Sequence, residues 1–114
     1  MERASTSTHP ASLPAAERQT RSRLAQLVHS YPVLRGTLTV RARHCGKPNC
    51  RCARGQLHVS LYLVQSRDGS LRQLYVPQDW RERVRQAVHN FRRMQRLLEE
   101  LSEREWKRLE QRKD

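Results

Sequence analysis

Between Arg41 and His58 the chain reads RARHCGKPNCRCARGQLH, and all three cysteines of the protein lie inside that stretch. The spacing is C-x4-C-x-C-x5-H, over Cys45, Cys50, Cys52 and His58. Three thiolates and one imidazole this close together form a complete donor set for tetrahedral zinc, with no coordination position left open. Gly46 and Pro48 fall where a ligand-bearing turn needs unusual backbone angles. Arg43, Lys47, Arg51 and Arg54 surround the cluster and favour the thiolate form. The expectation is a zinc site held by Cys45, Cys50, Cys52 and His58, with His44 as the substitute fourth ligand. Two other readings stay open. His58 can be an ordinary strand histidine, and the cysteines can be redox thiols, although no C-x-x-C motif is present.

The hydrophobic pattern on either side of the loop predicts an α+β fold. Residues 1–13 are Ser-, Thr- and Ala-rich and read as a disordered tail. Pro14 suits the first position of a helix over 14–30, with Leu24, Leu27, Val28 and Tyr31 on one stripe and Pro32 as its stop. From Gly36 the period changes to two. Leu38, Val40 and Ala42 alternate with Thr37, Thr39, Arg41 and Arg43, which predicts a strand with one basic face. A second strand runs from Leu57 to Val64, with Leu57, Val59, Leu61 and Leu63 on one face and His58, Ser60, Tyr62 and Val64 on the other. Asp68-Gly69 marks a hairpin turn, and Leu71 to Val76 returns as a third strand. The sheet over 36–76 is thus a three-stranded antiparallel meander, with the zinc loop joining strands one and two.

A long helix follows over 77–112. Apolar residues recur at Trp80, Val84, Ala87, Phe91, Met94, Leu98 and Leu101, a heptad seam of the coiled-coil type. Such a helix outruns a sheet of this size, so its seam needs either the first helix or a second copy of the chain. A homodimer through this helix is the expectation. Residues 14–114 read as one zinc-stapled domain. At 36% hydrophobic residues in 114 the core is small, and small cores usually carry a metal, disulfides or a partner chain. An odd cysteine count closes no disulfide framework.

The formal charge is +12, carried by 23 basic against 11 acidic residues, and 20 of the basic ones are arginine. That balance points to a polyanion, with nucleic acid ahead of an anionic membrane surface. Between Glu17 and Asp68 there are ten basic residues and no acidic one. On the long helix Arg85, Arg92, Arg93 and Arg96 lie opposite the seam. Arg41, Arg43, Lys47, Arg51, Arg54, Arg85, Arg92, Arg93 and Arg96 are therefore the candidate phosphate contacts. The aromatic residues Tyr31, Tyr62, Tyr75, Trp80 and Phe91 read as mostly claimed by the core, so base stacking is a weak expectation and sequence-specific readout is not argued. The competing reading is a solvated Arg-rich surface that serves solubility alone. No apolar run is long enough to span a membrane. No signal-peptide core opens the chain, so a reducing cytoplasm is the expected setting, where clustered cysteines more often bind metal than pair.

The run HCGKPNCRCARGQLH, with the later Tyr75-Val76-Pro77 and the long helix, resembles a family of small, uncharacterised bacterial and archaeal proteins. Its signature is CGKPxCRCxxGxxHG-like, within a domain of unknown function. The likeness spans about residues 33–101. Cys45, Gly46, Lys47, Pro48, Cys50, Arg51, Cys52, Gly55 and His58 match it, whereas Val59-Ser60-Leu61 stands where the family continues with Gly-Pro-Tyr. The resemblance implies short strands around a zinc site followed by a helical hairpin or coil. It implies no activity, and only a contextual association with mobile elements.

Together these readings predict a small basic zinc-binding module that contacts DNA or RNA through phosphates. A protein-interaction adaptor built on the long helix is the alternative. Catalysis is not expected. Four protein ligands leave the metal no site for water, and no carboxylate lies between Arg18 and Arg67 to serve as a base nearby.

Overall fold

The computed structural model describes residues 13–44, 46–55 and 57–112, and describes Cys52 by its backbone alone. The expected tail lies outside the described residues except at its end. There Leu13 is buried, and its carbonyl accepts a hydrogen bond from Arg18.

The fold is α+β, as the pattern predicts. Helix α1 spans Ala15–Ser30, strand β1 Thr37–Arg43, strand β2 His58–Arg67, strand β3 Ser70–Val76 and helix α2 Arg81–Gln111. A short 3-10 turn over Arg51–Arg54 interrupts the loop between β1 and β2, and another over Gln78–Trp80 leads into α2. The sheet is antiparallel in the order β1-β2-β3. Among the described residues no helix is long and apolar enough to cross a membrane.

The chain divides into two compact units, each containing part of α2. One is residues 33–89. Its core is Leu61, Leu63, Val76 and Val88, with Leu34, Leu38 and Val84 packed around them. The start of α2 thus covers one face of the sheet. The Leu34 N–H donates to the Ala87 carbonyl at 3.1 Å, tying the segment ahead of β1 to this helix. Gly36 is needed here because a Cβ on it would meet Leu63 Cδ1 at 2.7 Å. Strand β2 runs three residues past the expected Val64. The reason is the tight hairpin: Asp68 (φ 52°) and Gly69 (φ 80°) both take positive φ, so pairing continues to Arg67↔Ser70.

The other unit takes in the chain up to Pro32 and from Asn90 onward. Here α1 lies along α2, one of the two ways the sequence offers to cover the long helix. The seam differs from the expected heptad in detail. Met94 is buried, and Phe91, Leu97 and Leu101 are half-buried, while Leu98 is exposed because Leu97, one position earlier, takes the inward place. Asn90 is buried and donates to the Pro32 carbonyl at 3.2 Å, anchoring the exit of α1. Tyr31 ahead of it is extended, as a residue preceding proline should be.

Glu17 is the most enclosed side chain of this unit, and it is charged. It pairs with Arg108 across the two helices and with Arg21 one turn along α1 at 3.3 Å. The hydrogen bond from Arg108 outweighs the opposing effect of burial and holds the Glu17 carboxyl below its ordinary pKa. Its folded-state pKa is thus lower than its unfolded one. The pair stabilises the fold above the ordinary carboxylate range, and that contribution is lost as pH falls through the lowered value. Thermal unfolding across acidic pH checks this. E17Q should be less stable than the native chain at neutral pH, with the difference shrinking as pH drops. A constant difference would contradict it.

Candidate metal loop and basic sheet face

Antiparallel pairing decides which residues share a face. Thr39 pairs with Tyr62, Arg41 with Ser60 and Arg43 with His58 across β1 and β2. Tyr62 then pairs with Tyr75, and Val64 with Gln73, across β2 and β3. Directly opposed residues point the same way and side chains alternate along each strand. Arg41, Arg43, His58, Tyr62, Gln73 and Tyr75 therefore all project from the face opposite the one α2 covers. None of them is buried.

On this open face the side chains form a connected set. The Arg41 guanidinium lies over the Tyr62 ring, 4.4 Å from its centroid, and also donates to Gln73 Oε1. Tyr62 and Tyr75 meet edge to face, with centroids 5.8 Å apart and planes at 70°. Of the five aromatics expected in the core none is fully buried, and only Tyr62 and Phe91 are half-buried. Tyr75 is 50% exposed and Trp80 51%, the latter flanked by Arg83 at 5.6 Å; Tyr31 is exposed too. The physical reason is that α2 seals only one face, where Leu61, Leu63 and Val76 suffice. The signal for Tyr62 was present in the alternation of β2, which set it on the polar side with His58 and Ser60.

The loop between β1 and β2 carries the candidate metal ligands. His58 opens β2, and its Nε2 lies 3.0 Å from Cys50 Sγ. Cys50 is held at the junction of two turns. Its N–H donates to the Lys47 carbonyl at 3.2 Å, and its carbonyl accepts from the Ala53 N–H at 3.0 Å. Tetrahedral zinc at ordinary bond lengths sets a sulfur and a nitrogen about 3.6 Å apart, so the Cys50–His58 pair needs only a small opening to share an ion. Cys45 and the side chain of Cys52 lie outside the described residues, and among the described residues no group of three metal donors converges. His44 follows β1 and is exposed.

The candidate phosphate contacts fall into separate places. Arg41 and Arg43 share the open sheet face, and Lys47, Arg51 and Arg54 are exposed on the adjoining loop. Arg85 is exposed on α2, which covers the opposite face of the sheet, so it does not join Arg41 and Arg43. Arg92, Arg93 and Arg96 belong to the other unit. There Arg92 and Arg96 line a shallow open depression with Glu99, Glu100 and Glu103 as well as Arg104 and Lys107. Carboxylates interleaved in this way cancel much of the positive potential, whereas no acidic residue lies between Arg18 and Arg67.

The sequence model of a family described as a domain of unknown function (DUF6788) matches residues 16–86. The match takes in nearly all of α1, the whole sheet with its cysteine loop, and the first turns of α2. No curated protein and no solved structure matches the chain.

Proposed function

We propose that this chain, which belongs to the DUF6788 family of domains of unknown function, is a zinc-clipped module that binds nucleic acid through its phosphates and catalyses no reaction on it. The observation that carries this reading is the register of β1 and β2. It sets Arg41, Arg43 and His58 on one open face, beside a loop bearing Lys47, Arg51 and Arg54, in a chain of formal charge +12. Arginine forks suit phosphate oxygens, and a zinc ion held by Cys45, Cys50, Cys52 and His58 would fix the loop that presents the other three cations. The zinc here is structural. Its four protein ligands saturate the tetrahedron, and binding it stabilises the folded loop.

Two expectations follow. Protein purified without chelator should contain about one zinc per chain by elemental analysis. Replacing Cys45, Cys50, Cys52 or His58 should each lower that content, with the loop losing protection from proteolysis. Full zinc in the His58→Ala chain, with His44→Ala reducing it, would move the fourth ligand to His44; no zinc in the native chain would remove the clip. Fluorescence anisotropy with duplex and single-stranded DNA and RNA then tests the partner. Five cations on phosphates predict a log–log salt slope of about −4. Arg41→Gln with Arg43→Gln should weaken binding more than Arg92→Gln with Arg96→Gln. Binding insensitive to salt would contradict the reading.

A second reading is favoured by a specific feature of α2. Leu98, Trp106 and Leu109 are exposed, Trp106 to 60%, over about the last four turns of the helix. Apolar side chains this large on a solvated helix suit a partner surface, and a second copy of this chain is the occupant consistent with the expected dimer. Light scattering across concentration tests it. A dimer that Trp106→Glu converts to monomer supports it, and a native monomer at all concentrations excludes it.

A further inference from the structure

We propose that the open sheet face is a base-stacking surface for single-stranded nucleic acid, with an unpaired base seated against Tyr75 and Arg41. The proposal rests on the phosphate-binding reading above and names the form of nucleic acid that this surface takes.

Two tyrosines stand side by side on the central and edge strands, with ring centroids 5.8 Å apart. They sit on the face that α2 leaves uncovered, and neither is buried. Tyr75 is 50% exposed, so its ring is reachable from solvent. The Tyr62 ring is covered by the Arg41 guanidinium, itself a flat cation on which a base can stack. Bases offer their π-faces only where they are unpaired. In a duplex the stack hides them, so aromatic side chains on a sheet face have nothing to meet. Cations flank the tyrosines where a strand's backbone would pass. Arg43 lies further along β1, and Lys47, Arg51 and Arg54 lie on the loop beyond it. Gln73, reached by Arg41, adds an amide beside the rings. Stacking residues on a sheet together with flanking cations is the combination that lets a protein grip a single strand with little dependence on sequence.

A reader of duplex DNA would need a different layout. A basic helix would enter the major groove with side chains free to reach base edges. Helix α2 carries Arg81, Arg83 and Arg85 in its first turns, where it covers the sheet, and Arg92 and Arg96 further on, where they share a depression with Glu99, Glu100 and Glu103. The observations therefore favour the sheet face and a single strand.

The test is anisotropy at low salt with a labelled 12-nucleotide single strand, as DNA and as RNA. The comparisons are the same strand with abasic sites and the matched duplex. The native chain should bind the intact single strand roughly tenfold or more tighter than its abasic form, and tighter than the duplex. Tyr75→Ala should lose that preference, and Tyr75→Phe, which keeps the ring, should retain it. Tyr75 is exposed on an edge strand, and circular dichroism of each variant checks its fold. Preference for either the RNA or the DNA strand supports the proposal and says which sugar is accommodated. Equal binding of intact and abasic strands, or a Tyr75→Ala chain that binds as the native one does, overturns it while leaving the phosphate-binding reading in place. Absence of salt-dependent binding to every nucleic acid overturns both.

Discussion

Backbone pairing between β1 and β2 is the constraint on which the candidate surface depends. Its register puts Arg41 beside Ser60 and Arg43 beside His58, and with β3 it puts Tyr62 beside Tyr75. A slip of β1 by one residue would send Arg41 and Arg43 to the face that α2 covers. That slip is opposed by the core, because Leu38 would then turn away from Leu61, Leu63, Val76 and Val88. The buried face is thus what specifies the exposed one. The two-residue turn at Asp68-Gly69 pins the second ladder in the same way, since positive φ at both positions fixes where β2 ends and β3 begins.

The pairing ends where the loop begins, and this shapes the logic of the metal. Strand β1 stops at Arg43 and β2 starts at His58, which are themselves paired, so the loop leaves and returns at one point. Val40 and Val59 near this end are more than half exposed, so burial of apolar side chains does little to order it. The turns around Cys50 and the approach of its sulfur to His58 supply local order instead. A zinc ion in the proposed site would act on this weakly buried end, where a few strong bonds change most. In the other unit the pair Glu17–Arg108 has a comparable part, a buried charge matched by a partner on a second helix.

Much of this was legible in the residues. The change of period from helical to alternating at Gly36, the Asp-Gly turn and the prolines at 14, 32 and 77 place every regular element to within a few residues. The exact inward stripe of α2 was less legible, because Leu97 and Leu98 are equivalent by composition and only their packing neighbours distinguish them. The tyrosines were misplaced for a different reason. A small chain with few aromatics would be expected to bury them, but burial is decided by which face a covering helix reaches. Tyr62 and Tyr75 lie on the face it does not reach. Arg85 shows the converse. Its charge counts toward the total, yet its position on α2 separates it from Arg41 and Arg43.

The most direct test of the open face is a backbone amide NMR titration of the zinc-loaded protein with a short single-stranded oligonucleotide. The account predicts that the largest shift changes fall on Thr39, Arg41, Arg43, Tyr62 and Tyr75, with smaller ones on the loop through Arg51 and Arg54. Changes confined to α2 around Arg92 and Arg96, with the sheet amides unmoved, would contradict it.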